Sequence, residues 1–184
     1  MKKILLAVLM SMSSIFVSCG HSSDNVIFYG VDFTHVKVYA ADESVEDFEN
    51  VFKNINILIM DEATKYNFSK VVSSEIDYNF EPVMKMIKKA DFDDVKVFKN
   101  NIPDLQIEEI IEDYKLPERK GTGLIIIPQI LNKASSSAKS YVVLFDIDTR
   151  EILKQKFVTT KAGGFGLRNY WARPFYNITL SVRL

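Results

Sequence analysis

The segment Lys161 to Trp171 (KAGGFGLRNYW) combines three glycines with arginine at 168, and a second arginine follows at 173. Glycines between a strand and a helix let backbone N–H groups approach an anion at the helix N-terminus. Gly163, Gly164, Gly166, Arg168 and Arg173 are therefore candidate anion-binding residues, with a phosphate or an anionic glycan as the ligand class. The spacing fits neither the P-loop nor the dinucleotide fingerprint. The first expectation is structural: the glycines shape a tight crossing from strand to helix, and at least one takes positive φ.

Other groupings carry less. Asp146, Asp148 and Glu151 could offer oxygens to a hard cation, but the calcium-loop spacing is missing, so a solvated hairpin turn is expected. His35, near Asp32 and Thr34, is the one histidine inside the domain and is read as a hydrogen-bonded residue at a strand end. Tyr66 and Lys70 match a Tyr-x-x-x-Lys pair, yet no glycine-rich turn follows the first strand to serve a dinucleotide. The aromatics Tyr170, Trp171, Phe175 and Tyr176 suit either a recognition or membrane-contact surface or a core stripe, and the stripe is expected. No catalytic set, metal site or cofactor is expected.

These residues need elements to hold them. Val26 to Phe33 is β-branched and aromatic, a buried strand. His35 to Tyr39 extends it or begins another. Ser44 is placed to cap a helix whose stripe is Val45, Phe48, Val51, Phe52, Ile55, Leu58 and Ile59. A short helical piece follows near Lys65 to Val72, then a strand over Glu75 to Phe80. Pro82 opens a helix. Val95 to Phe98 reads as a strand, and Asp104 as the cap of a helix buried through Ile107, Ile110, Ile111 and Tyr114. Gly123 to Leu131 is a strand in which Pro128 predicts a bulge or an edge. Asn132 to Ser140 reads as a mobile loop. Tyr141 to Ile147 and Ile152 to Thr160 form a hairpin around Asp148 to Glu151, and Tyr170 to Val182 is helical. Strands alternating with helices, then an antiparallel hairpin and a C-terminal helix, predict one α/β domain over 26–184 with a mixed sheet.

Composition sets the class. With 47% hydrophobic and 26% charged residues the chain is globular rather than disordered. A formal net charge of −1 gives no global attraction to nucleic acid. Lys2 and Lys3, the apolar run from Ile4 and the small Ser18 have the order of a secretory signal over 1–18. Cys19 is the only cysteine, so no internal disulfide can form.

Ser18-Cys19, after that apolar run, resembles a bacterial lipobox, with Phe16 where the pattern prefers Leu. The resemblance implies cleavage before Cys19, lipidation of Cys19 by acyl chains such as palmitate, and a short tether over 19–25. Gly20 in place of Asp leans toward outer-membrane sorting by the enterobacterial rule, facing the periplasm or the cell surface. The order of elements resembles the amino-terminal domain of the Tol-system propeller protein and the periplasmic domain of curli-type secretion lipoproteins. The segments VDFTHVKVY, KYNFSK and KAGGFGLRNYWA are similar to a family of uncharacterised Bacteroidota lipoproteins, and this likeness brings no catalytic residues. The expected function is a non-enzymatic binding or assembly module with an envelope protein partner or copies of itself. The competing reading is an enzyme or binding protein for an anionic ligand at the Lys161–Arg173 loop.

Overall fold

The computed structural model describes residues 25–184, which form a single α/β domain around one seven-stranded sheet. The signal segment, Cys19 and nearly all of the tether lie outside the described residues.

Strand β5 (Thr122–Asn132) is the spine. One of its edges carries two strands in succession, both parallel to it: β1 (Val26–Val31) and then β2 (Lys37–Tyr39). The short strands β3 (Ile76–Tyr78) and β4 (Lys96–Val97) extend β1 and β2 outward, again in parallel. The other edge of β5 pairs antiparallel with β6 (Ser137–Asp146), and β6 pairs with β7 (Ile152–Lys161). The mixed sheet, late hairpin and C-terminal helix expected from sequence are all present.

Pro128 sits in this central strand without breaking it. The Asp32 amide donates to the Ile126 carbonyl, so Ile126 directs its backbone groups toward β1. Alternation puts the position of Pro128 on the same side, in the gap between the end of β1 and the start of β2. No ladder bond is lost there, and the expected bulge falls between Pro128 and Ile130.

Helix α1 (Val45–Asp61) begins at a complete capping box: Ser44 Oγ accepts from the Asp47 amide, and Asp47 accepts from the Ser44 amide. Its buried stripe contains one polar residue, Asn56. The Asn56 amide donates to the Val31 carbonyl and accepts from the Val31 amide, both at 2.8 Å. β3 pairs with β1 only as far as Phe28, so this side chain takes the place of a missing strand. Gly30 (φ +100°) makes the contact possible, because a Cβ there would lie 2.6 Å from Asn56 Oδ1.

Helix α1, helix α3 (Glu81–Lys89) and the C-terminal helix α5 (Leu167–Ser181) cover one face, beside the short α2 (Ser69–Val72). There Phe33 stacks on Phe52 with centroids 4.4 Å apart and meets Phe175 edge-on. Trp171 and Phe175 are fully buried and belong to the core, whereas Tyr170 and Tyr176 of the same expected stripe are only partly buried at its margin. On the opposite face Tyr29 stacks on Phe145, beneath α4 (Ile107–Glu112) and the chain that follows it.

Two local expectations are corrected. Asp104 does not cap α4, which starts after Gln106 with no side-chain cap. Its carboxylate instead accepts from buried Gln129 at the β5 bulge. Residues 132–140 are not a mobile loop: β5 ends at Asn132, β6 begins at Ser137, and the turn between them is tight. Asn132 Oδ1 accepts from the Ser135 amide, and Ser136 adopts positive φ (48°). A serine-rich composition reads as a loop, but here short hydroxyl and amide side chains close a turn.

Candidate functional site

The glycine segment links the end of β7 to the start of α5, as the sequence predicts. Gly164 (φ +128°) and Gly166 (φ +79°) adopt left-handed backbone. The loop is tied down at three points. The Ala162 amide donates to the Ser136 carbonyl at 2.8 Å, the Gly163 amide to the Tyr170 carbonyl at 3.1 Å, and Asn177 Nδ2 to the Lys161 carbonyl at 2.9 Å. A Cβ on Gly164 would approach the Asn169 carbonyl to 3.3 Å. The structural role expected of these glycines therefore has a concrete basis in Gly164.

The same loop forms a wall of a cleft of about 300 Å³. Gly163, Gly164, Phe165, Arg168 and Arg173 line it together with Lys65, Tyr66 and Tyr176. Gly166 is not among the lining residues; it stands exposed as the residue before α5. A second hollow shares Gly163, Gly164 and Arg173 and adds Lys161 and Asn177. Tyr66 meets Tyr176 edge-on, with the Lys65 ammonium over the Tyr66 ring and the Arg173 guanidinium over that of Tyr176. Burial pushes the Tyr66 phenol above its ordinary range. Glu62 is the one carboxylate in the lining. It sits 2.6 Å from Lys65 Nζ, and this hydrogen bond raises the Lys65 ammonium. No acidic residue occupies the first turn of α5. The cleft can thus attract an anion and present flat aromatic edges beside it.

Its charge belongs to a larger pattern. After Glu151 the chain has no further Asp or Glu, but it has Lys154, Lys156, Lys161, Arg168, Arg173 and Arg183. β7, the glycine loop and α5 therefore form a basic unit on a domain that is otherwise acidic. This segregation was readable in the sequence, but a net charge near zero conceals it. Tyr66 and Tyr176 read in sequence as part of a Tyr-x-x-x-Lys pair and of an aromatic stripe, and nothing there joins Lys65 and Tyr66 to the loop, since folding brings them to it across about 100 positions of chain.

The remaining groupings resolve into structure. Asp146 Oδ1 accepts from the amides of Asp148 and Thr149 and from the Thr149 hydroxyl, which holds its carboxyl below the usual range. It shapes the β6–β7 turn, as expected of a hairpin. His35 is exposed between β1 and β2 and makes no side-chain hydrogen bond among the described residues, contrary to the hydrogen-bonded role expected for it. Tyr66 faces Tyr176, and Lys70 is exposed.

Asp32 is fully buried. Its Oδ1 accepts from the Thr34 amide and hydroxyl, and its Oδ2 from the Tyr114 hydroxyl at 2.5 Å. Nearby, Glu118 accepts from Tyr29 and Asn79, and Arg150 donates to the Tyr114 carbonyl. These bonds fasten the chain after α4 to the sheet, and Asp32 has no lone carboxylate oxygen to offer a substrate.

Outside the cleft, β7 pairs only with β6 and leaves a ten-residue outer edge open among the described residues. Carrying the alternation across from β5 directs the backbone groups of Gln155, Phe157 and Thr159 outward. Leu153 and Phe157 are about half exposed on this strand. Among the described residues, no helix is long and apolar enough to cross a membrane.

No protein-family model matches this chain, and neither a curated protein nor a solved structure matches it significantly.

Proposed function

We propose that the protein is an envelope lipoprotein, anchored through Cys19 at the outer membrane, whose domain is a non-enzymatic binding module. The observation that carries the binding role is the open edge of β7. It offers outward N–H and C=O groups over ten residues, exposed Leu153 and Phe157, and lysines with no carboxylate among them. Lysines on an edge strand discourage pairing with an identical edge. They favour a strand of opposite charge, added to the sheet by backbone hydrogen bonds. The partner chemistry is accordingly an extended acidic segment of another envelope protein.

The anchor rests on the signal-like order of residues 1–18 and the lone cysteine after it. Two experiments test the proposal together. A fatty-acid analogue should label the wild-type chain and not Cys19→Ala; equal labelling removes the anchor. Capture from detergent-solubilised envelopes should recover a partner with wild type and lose it with Gln155→Pro, which removes an outward N–H but no bond to β6. Undiminished capture by this variant contradicts the edge-strand role.

The basic cleft favours a second reading, in which an anionic ligand binds beside Arg168 and Arg173. An Arg168-dependent thermal shift with inorganic phosphate tests it.

A further inference from the structure

Phe165 is 96% exposed at the tip of the glycine loop. The base of the loop is held by three hydrogen bonds through Lys161, Ala162 and Gly163, and the turn that carries Phe165 outward runs through positive φ at Gly164 and Gly166. From Ala162 to Leu167 the loop carries no polar side chain at all. Arg168, Arg173 and Lys65 line the same cleft as Phe165, and Lys161 lines the adjoining hollow at the base of the loop.

We propose that this loop docks on an anionic phospholipid surface, with Phe165 entering the headgroup–acyl boundary and the surrounding cations at the level of the phosphates. An apolar tip with a cationic collar matches the layering of a bilayer interface. The alternatives each leave part of the arrangement unexplained. A soluble phosphate accounts for the arginines, but Phe165, although it also lines the cleft, offers a phosphate no donor and leaves its ring almost wholly in water. A protein partner would be specified by directional hydrogen bonds, and residues 162–167 supply no side chain to make them. This contact is separate from the β7 edge and does not require Cys19. Asn25 lies beside Gly121, at the start of β5, whereas the loop follows the residue paired with Ser137 at the far end of the hairpin. The two ends are about 30 Å apart along the sheet, so the loop would give the domain a membrane contact independent of its tether.

The test uses the full chain with Cys19→Ser and Phe165→Cys, labelled at the new cysteine with an environment-sensitive fluorophore. A parallel chain carries the label at Thr149→Cys, in the hairpin turn at the opposite end of the sheet. Vesicles of phosphatidylglycerol with phosphatidylethanolamine should blue-shift and brighten the label at 165 and leave that at 149 unchanged. Phosphatidylcholine vesicles should do neither, and added salt should reverse the effect. Arg168→Ala and Arg173→Ala should each weaken vesicle binding about fivefold, with unchanged Trp171 emission showing that the fold is intact. In unlabelled chains, Phe165→Ser should reduce co-sedimentation with the anionic vesicles. The proposal is overturned by no shift at 165, by an equal shift at 149, or by a shift with phosphatidylcholine that salt does not reverse. Stabilisation by inorganic phosphate without any vesicle response would also overturn it, and would assign the cleft to a soluble anion.

Discussion

The Gly163 amide and the Pro174 ring depend on one another through a single carbonyl. Pro174 lies inside α5 and has no N–H, so the carbonyl of Tyr170, four residues earlier, lacks its helical donor. The Gly163 amide occupies that carbonyl at 3.1 Å. A proline that would ordinarily weaken a helix thus creates the acceptor that fastens the loop before it.

This arrangement predicts a graded response in the loop. Gly164→Val should destabilise the fold by about 1–3 kcal/mol, because it forces a β-branched residue into left-handed backbone and against the Asn169 carbonyl. Gly163→Ala, where a Cβ would meet nothing within 4 Å and the φ of +158° borders on extended backbone, should cost less. Urea midpoints measure both. Equal midpoints for the two variants would contradict the structural role assigned to Gly164.

Trp171 is the only tryptophan and is fully buried. Its emission should be blue-shifted from that of indole in water and resist quenching by iodide. Emission near the aqueous value, with ready quenching, would mean that α5 does not dock on the sheet as described.

The bond from Tyr114 to Asp32 lies in the core, and both residues are buried. Tyr114→Phe removes the donor and leaves Asp32 Oδ2 without its partner. The expected cost is about 1–3 kcal/mol, read as a lower urea midpoint with unchanged far-ultraviolet circular dichroism. An unchanged midpoint would remove this bond from the account of how the chain after α4 is held.

Burial raises the Tyr114 phenol well above its ordinary value of 10.0, and burial with the Glu118 hydrogen bond raises that of Tyr29. Both groups therefore stay neutral in the folded chain while the unfolded chain can release their protons. Their contribution to stability is complete below about pH 10 and declines as the pH rises above it. Tyrosinate absorbance should show exposed tyrosines titrating first and the last groups ionising only as Trp171 emission moves to the aqueous position. Ionisation of all eight tyrosines with the emission unchanged would contradict this.

The elements that sequence reveals are those governed by local physics. Ser44 and Asp47 cap α1 from three residues apart, and Phe48, Phe52 and Ile55 recur at helical spacing, so cap and core face are both legible. Pro128 announces a bulge or an edge, and a bulge is what forms beside it. What stays hidden is non-local. Nothing near Val26 or Lys37 indicates that β1 and β2 share one edge of β5, nor that Asn56 completes the backbone of Val31. The loop half of the cleft was legible in Gly163, Gly164, Arg168 and Arg173, since glycines and cations stand close in sequence. The Lys65–Tyr66 half was not, because it arrives from the end of α1. Phe165 is not distinguished in sequence from the aromatic pattern after it, which fits a core stripe, and only the turn geometry separates it from Trp171 and Phe175.

The central claim is that the open edge of β7 receives a strand from an envelope partner. Site-specific photo-cross-linking in intact cells tests it most directly, with the photoreactive side chain at Phe157 and a comparison at Leu180, which is exposed on α5. The account predicts a discrete adduct with another envelope protein from position 157, absent from position 180, and lost when Gln155→Pro is added. No adduct at 157, or the same adduct from both positions, would contradict it.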